Sequence, residues 1–295
     1  MSGSTRVAAV TGASGYLGSR ICQTLEADGW EIRRLGRSPD PQDPHWRRYD
    51  VGAPIDAQLL DSVDLLVHAA YDFSLTRRSD IWRVNVEGTR RLLAAAQAGG
   101  IQRILVLSTM SAYEGTKQLY GRAKLDIEAA TIAVGGCVIR PGLVYSRQPA
   151  GMAGALQKIT RLPIVPLVAG TARQYPVHLD DLMNAIAALA VNDRLPSGPL
   201  GIAQPTPVPF RDVLVALAAQ EGRSCRFVPV PWQMLYWGLR LAEALPVRLP
   251  FRADSLLGLV RPAPSVPGAD DLAEMGVTFR PFEAFGNPPA DDSQR

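Results

Sequence analysis

Two Tyr-x-x-x-Lys patterns run end to end in "YEGTKQLYGRAK", pairing Tyr113 with Lys117 and Tyr120 with Lys124. The chain has eight tyrosines and only three lysines, Lys117, Lys124 and Lys158. Random placement of these residues would yield about 0.08 such pairs, so the doubled pattern calls for a physical reading. A tyrosine titrating near pH 10 is a poor acid or base at neutral pH. A lysine ammonium beside it favours the phenolate and is expected to lower its pKa. Tyr113 follows an apolar run by five residues and has Gly115 before its lysine, which points to a turn where i and i+4 share no face. Tyr120 and Lys124 open an amphipathic stretch, where the same spacing stacks them on one helix side. The second pair is the one able to do proton-transfer chemistry.

A second constellation is "TGASGYLG" (11–18). Gly12, Gly15 and Gly18 allow a tight turn, backbone approach to a pyrophosphate, and close helix–strand contact. The helix that follows offers N–H groups and a positive dipole end. This spacing predicts dinucleotide binding. The next strand ends "RLGRSP", with Gly36 where an NAD reader would place an acid and Arg37 directly after it. An arginine there suits a 2′-phosphate, so NADP(H) is expected before NAD. Arg33 and Arg34 are candidate helpers, although they alternate faces of the strand.

These residues need a scaffold, and the rhythm around them supplies one. Strand-like runs at 6–12, 30–36, 47–51, 62–70, 101–108 and 136–142 alternate with helical patterns at 16–28, 79–98 and 119–133. Runs such as "SVDLLVHAA" and "IQRILVLS" are apolar throughout, as strands buried on both faces are. The expected fold class is therefore α/β: a Rossmann-type doubly wound parallel sheet with a smaller C-terminal substrate-binding region. Residues 1–145 would form the dinucleotide-binding domain, with about 170–203 returning to it. Residues 146–285 would be mainly the substrate region or lid, and 286–295 a disordered tail. The apolar, aromatic segment 231–260 reads as a packed helix and lid, or else as a surface-binding amphipathic element.

Composition bounds the alternatives. With 295 residues, 47% hydrophobic and a net charge of +3, the chain suits a soluble enzyme, with no case for nucleic acid. Cys22, Cys137 and Cys225 are far apart, which predicts reduced thiols and a cytoplasmic location. His45, His68 and His178 are isolated, so no metal site is expected. No run suggests a membrane span or a targeting segment. His178, Asp180 and Asp181 look like a relay, yet aspartates at a helix start more often act as caps. Asn85 is open to two readings: ordering backbone or water near the site, or bonding within its own helix.

Taken together, "TGASGYLG", "GWEIRRLGRSP", the "HAA" at 68–70, "NVEGTRRLLAAA" (85–96), "LSTMSAY" (107–113), "YGRAK" (120–124), "RPGLVY" (140–145) and "VHLDDL" (177–182) resemble the extended short-chain dehydrogenase/reductase superfamily. The resemblance is to its NAD-dependent epimerase/dehydratase-type branch and covers residues 6 to 182. It implies that Tyr120 is the proton donor or acceptor and that Lys124 holds the nicotinamide ribose. Thr109 would hydrogen-bond the reacting oxygen, with Ser108 and Ser111 as lesser candidates. Cofactor contacts are implied at Gly12, Ser14, Gly15, Tyr16, Leu17, Gly18, Arg37, Asp50, Val51, Ala69, Ala70, Tyr120, Lys124, Pro141 and Val144. Substrate-facing positions are implied at Tyr71, Thr109, Ser111 and Gln174, and homodimerisation through 79–98 and 119–133.

The resemblance leaves three activities open: an NADP-dependent reductase or dehydrogenase of a small-molecule carbonyl or alcohol, a nucleotide-sugar epimerase, and a non-catalytic cofactor-binding module. Dehydratases of this branch follow their threonine with Asp-Glu, whereas Met110 and Ser111 stand here. Many nucleotide-sugar enzymes carry arginine at the place of Gln174. Both departures favour the reductase.

Overall fold

The computed structural model describes residues 6–38, 40–192, 194–243 and 251–282. The tail expected from Gly286 onward lies outside the described residues, as does 244–250 within the apolar segment.

The chain opens β1 (Val7–Thr11), α1 (Tyr16–Ala27), β2 (Glu31–Gly36), β3 (Trp46–Arg48) and β4 (Leu65–His68). A short helix α2 (Arg78–Ile81) then passes through a π-helical turn, Trp82–Val86, into α3 (Glu87–Ala98). β5 (Arg103–Leu107), α4 (Leu119–Ala133) and β6 (Cys137–Pro141) follow. Beyond these come β7 (Leu143–Tyr145), α5 (Gly151–Thr160), β8 (Val165–Leu167), β9 (Arg173–Gln174), β10 (Pro176–His178), α6 (Leu179–Val191) and β11 (Pro199–Ile202). The last described elements are β12 (Val208–Pro209), α7 (Phe210–Ala219), β13 (Phe227–Pro229), α8 (Trp232–Glu243), α9 (Ala253–Val260) and α10 (Ala269–Glu274).

Seven strands form one sheet in the order β11-β6-β5-β4-β1-β2-β3, with every pairing parallel. This is the doubly wound order, whose direction reverses between β1 and β4. Ligands of such sheets bind at that switch point, beyond the carboxyl ends of the strands. Leu65, Leu66, Ile104, Leu105 and Ile139 are fully buried, which explains why these strands read as unbroken apolar runs.

The chain divides into two compact units, one of residues 1–141, 180–202 and 263–278, the other of 142–179, 203–262 and 279–295. The first holds the seven-stranded sheet. The second has its own core, centred on Leu156, Val165, Val213, Leu214, Leu217 and Leu256. Small ladders, β7 with β10, β8 with β13 and β9 with β12, knit it together.

Helix α1 buries Gly18, Ile21, Cys22 and Leu25, a single stripe of the expected period. Helix α4 differs: its buried side contains Gly121, Lys124, Ile127, Glu128 and Thr131. Charged residues on the inward face of a helix break the usual pattern, and such breaks concentrate at functional sites. The stretch 79–98 is likewise not one uniform helix, because the π-helical turn inserts extra length at Trp82–Val86. Hydrophobic period cannot register such an insertion.

Candidate active site

Between β1 and α1 the backbone is shaped by close approaches. Gly12 has φ +68°, and a β-carbon there would lie 2.9 Å from the Ala70 nitrogen. One on Gly18 would lie 2.0 Å from the Gly12 carbonyl oxygen. No side chain fits at either place, so the turn packs as a bare-backbone cradle. Its N-cap, Gly15, supplies no side-chain cap to the helix. Ser14 and Gly15 are exposed, and Tyr16 and Leu17 half-buried. The turn therefore fits a pyrophosphate at the helix N-terminus.

At the end of β2 the three arginines separate. Arg33 donates to the carbonyls of Leu59 and Asp61, at 3.1 and 2.8 Å. Arg34 pairs with Glu26 and, at 3.0 Å, with Asp43. Neither is available as the helper considered from sequence. Arg37 is different: its side chain is 68% exposed, and its guanidinium lies 3.7 Å from the Asp72 carboxylate. Asp50 is exposed and accepts from the Gly52 N–H, while Val51 is buried against the core.

The doubled tyrosine motif separates as its spacing implied. Tyr113 begins a turn closed by the Thr116 N–H on its carbonyl, and Lys117 is exposed. Tyr120 and Lys124 sit together on the first turns of α4. Gly121 brings that helix close: a β-carbon on it would lie 2.3 Å from the Ser111 carbonyl oxygen. Tyr120 is thereby set beside the loop after β5 that carries Thr109, Ser111 and their neighbours. In that loop the Thr109 hydroxyl oxygen accepts from the Ser111 N–H at 3.1 Å. Ser108 is spent elsewhere, since its hydroxyl donates to Glu128, whose carboxylate is held by Arg140 at 2.6 and 2.9 Å.

Lys124 is buried, with Nζ donating to the Leu107 carbonyl at 2.6 Å. It lies 4.9 Å from the Tyr71 ring centroid and 5.9 Å from that of Tyr120. The Tyr71, Phe73 and Tyr120 rings pack on one another at 4.9 to 5.5 Å. Burial pulls the lysine down to about 8, against the pull of Glu128. Burial also pushes the Tyr120 phenol above its ordinary value, with no opposing charge strong enough to reverse it. This corrects the expectation of a lowered tyrosine: desolvation outweighs the ammonium, one of whose three protons is given to the Leu107 carbonyl.

A hydrogen-bond chain that spacing alone did not reveal runs behind these groups. The Thr11 hydroxyl oxygen accepts from the N–H groups of Ala69 and Ala70 at 3.1 and 3.2 Å. Its own proton therefore goes to Nδ1 of His68 at 2.7 Å. That fixes the tautomer: Nε2–H donates to Thr89 at 2.9 Å, and Thr89 donates to the Asn85 carbonyl at 2.7 Å. The Asn85 side chain then grips the backbone of Asp72 through both its atoms, at 2.7 and 3.2 Å. Of the two sequence readings of Asn85, ordering backbone near the site is the one seen. Burial, aided by the Lys124 charge, holds His68 neutral down to about 3. In the sequence its side chains lie in three separate motifs, Thr11 in "TGASGYLG", His68 in "HAA", and Asn85 and Thr89 in "NVEGTRRLLAAA", with nothing local to show that they meet.

Pro141 ends β6, where its carbonyl accepts from the Met110 N–H at 3.2 Å. Val144 lies in β7 and belongs to the second unit, as does Gln174. Gln174 is buried, and its amide donates to the Leu259 carbonyl at 2.9 Å. Sequence reading placed it at the substrate; the structure gives its donor to the second unit's own backbone. His178 packs edge-on against Tyr145.

Comparison with known proteins agrees with this geometry. Residues 8–199 match the family model of the NAD dependent epimerase/dehydratase family. A ceramide reductase of Caulobacter vibrioides is 31% identical over 193 residues, covering 62% of this chain and 60% of that protein. A 3-beta-hydroxysteroid dehydrogenase of Mycolicibacterium neoaurum is 27% identical over 173 residues, 47% of each chain. The chain thus spans less than two thirds of the length of these relatives. Among solved structures, MoeE5 in complex with UDP-glucuronic acid and NAD superposes with a TM-score of 0.71 at 21% identity, covering 95% of this chain and 96% of that one. With its glycine turn, its parallel sheet order and two thirds of its length matched, this chain belongs to the NAD dependent epimerase/dehydratase family, a family of NAD-dependent enzymes.

Proposed function

We propose that the chain is an NADP(H)-dependent reductase acting on a carbonyl, or on the alcohol in reverse, with Tyr120 moving the proton. The observation that carries this reading is Arg37: exposed after Gly36 at the end of β2, while Arg33 and Arg34 are bound into the fold. The turn Gly12–Gly18 would hold the pyrophosphate, Arg37 the 2′-phosphate, and Lys124 the nicotinamide ribose. When bound, the dinucleotide supplies a hydride to the carbonyl carbon.

The residues of the chain handle the oxygen. Desolvation keeps the Tyr120 phenol protonated at rest, so it enters as an acid. It gives its proton to the carbonyl oxygen as negative charge builds there, and the product is the alcohol. Thr109 donates a hydrogen bond to the same oxygen. Lys124, still a cation at neutral pH, stabilises the phenolate that remains. Met110 and Ser111 offer no carboxylate pair for dehydration, and the Gln174 amide N–H donates to the Leu259 carbonyl. Relatives named for ceramide and hydroxysteroid chemistry support a bulky, largely apolar substrate.

The purified protein should release little nucleotide on denaturation and should consume NADPH when supplied with an apolar ketone or aldehyde. Retained NAD, together with interconversion of a nucleotide sugar and no net cofactor use, would establish the epimerase instead.

A further inference from the structure

Helix α8 is apolar on two opposite sides. Trp232, Leu235, Tyr236 and Leu239 are half-buried and pack against the second unit's core. Met234, Trp237 and Leu241 fall on the other side, within an arc of about 60° at 100° per residue. They are 69%, 69% and 71% exposed, more than any other large apolar side chain among the described residues. Gly238 sits between them, with nothing within 4 Å of where its β-carbon would be. Burying the first stripe accounts for how α8 is held. The second stripe adds nothing to the unit's own core and costs solubility.

Charge identifies what covers it. The whole chain is only +3, but the charge is unevenly divided. Described residues of the second unit include eleven arginines and lysines against four carboxylates, Asp212, Glu221, Glu243 and Asp254. Two of those four are already paired, Glu221 with Arg161 and Glu243 with Arg240. Arg252 and Arg261 stand at the two ends of α9, which packs against α8. A second copy docking through the same face would bring this positive unit against itself. An anionic surface is attracted to it. An apolar helix stripe with an aromatic residue, carried on a unit with a surplus of positive charge, is suited to seating that helix in the plane of an anionic bilayer.

We propose that α8 docks the second unit on an anionic lipid surface, with Met234, Trp237 and Leu241 entering the acyl boundary. Full-length protein is mixed with phosphatidylcholine vesicles with and without phosphatidylglycerol, and bound protein is read by flotation and by tryptophan fluorescence. The wild type should bind the phosphatidylglycerol vesicles, with a blue-shifted spectrum, and bind less as salt rises. The variant Met234→Ser/Trp237→Ser/Leu241→Ser should bind tenfold or more weakly, since burial of one large apolar side chain is already worth about that factor. Its melting temperature and NADPH affinity should match the wild type, which separates this result from any failure of the reductase reading. Equal binding by variant and wild type would overturn the proposal, as would equal binding to neutral and anionic vesicles. A drop in assembly size in the variant by light scattering would show instead that the stripe seats a protein.

Discussion

Replacing Gly121 by alanine tests how Tyr120 is placed. The new β-carbon would lie 2.3 Å from the Ser111 carbonyl oxygen and 3.0 Å from the Thr116 hydroxyl. Carbon–oxygen contacts of this kind settle near 3.3 Å, so helix α4 or the loop must retreat by about 1 Å. The nearest atom is backbone, and no change of rotamer relieves it. Alanine gains up to about 1 kcal/mol of helix propensity over glycine. Overpacking costs about 1–3 kcal/mol, so the sum is a net loss. The retreat falls one residue from Tyr120, where a misplacement of about 1 Å can cost roughly 10²-fold in rate. Gly238→Ala is the control: it is the same substitution inside α8, with no neighbour within 4 Å. It should stabilise by about 0.5–1 kcal/mol and leave activity alone. Urea unfolding and NADPH-dependent kcat/KM of both variants decide the matter. If Gly121→Ala is as stable and active as the wild type, close packing of α4 on the Ser111 loop is not what positions the tyrosine.

Tyr120→Phe should abolish turnover, by roughly 10²–10⁴-fold, with NADPH binding retained, while Tyr113→Phe should cost far less; equal losses would defeat the assignment. Arg37→Ala should weaken NADPH binding about 10- to 100-fold and leave NADH unchanged, because a charge-assisted hydrogen bond to the 2′-phosphate contributes about 1.5–3 kcal/mol. Fluorescence titration with both cofactors measures this, and a wild type indifferent between them would refute it. Lys124 has a folded pKa of about 8 against an ordinary 10.5, so the unfolded chain binds more protons between those values. Stability relative to Lys124→Met should therefore rise with pH across that window, by an amount on the order of 3 kcal/mol; parallel pH profiles in denaturant would contradict it. The helical stretches 79–98 and 119–133, joined by the Trp82 Nε1–H on Asp126 at 2.7 Å, are expected to form a homodimer interface, which light scattering checks.

Local pattern was enough for the scaffold. Apolar runs at 62–70 and 101–108 announced buried parallel strands because a sheet covered on both faces has no polar side to show. Gly12, Gly15 and Gly18 announced a bare-backbone turn, and at Gly12 and Gly18 a side chain would collide with backbone. The i, i+4 spacing of Tyr120 and Lys124 announced a shared helix face, and Gly115 set Tyr113 apart from it. Family resemblance then assigned roles that spacing alone leaves open.

What needed the tertiary structure was every property set by partners distant in sequence. Arg33, Arg34 and Arg37 are chemically alike on paper; only the fold shows that Leu59, Asp61, Glu26 and Asp43 occupy the first two. Ser108 and Thr109 are neighbours, yet the hydroxyl of the first is turned to Glu128, twenty residues on. The direction of the Tyr120 shift was misjudged from spacing because proximity predicts the Coulomb effect alone, while burial sets the larger desolvation cost. The path from Thr11 through His68 and Thr89 to Asn85 and Asp72 joins β1, β4 and α3. A linear chain encodes it only through the packing of all three.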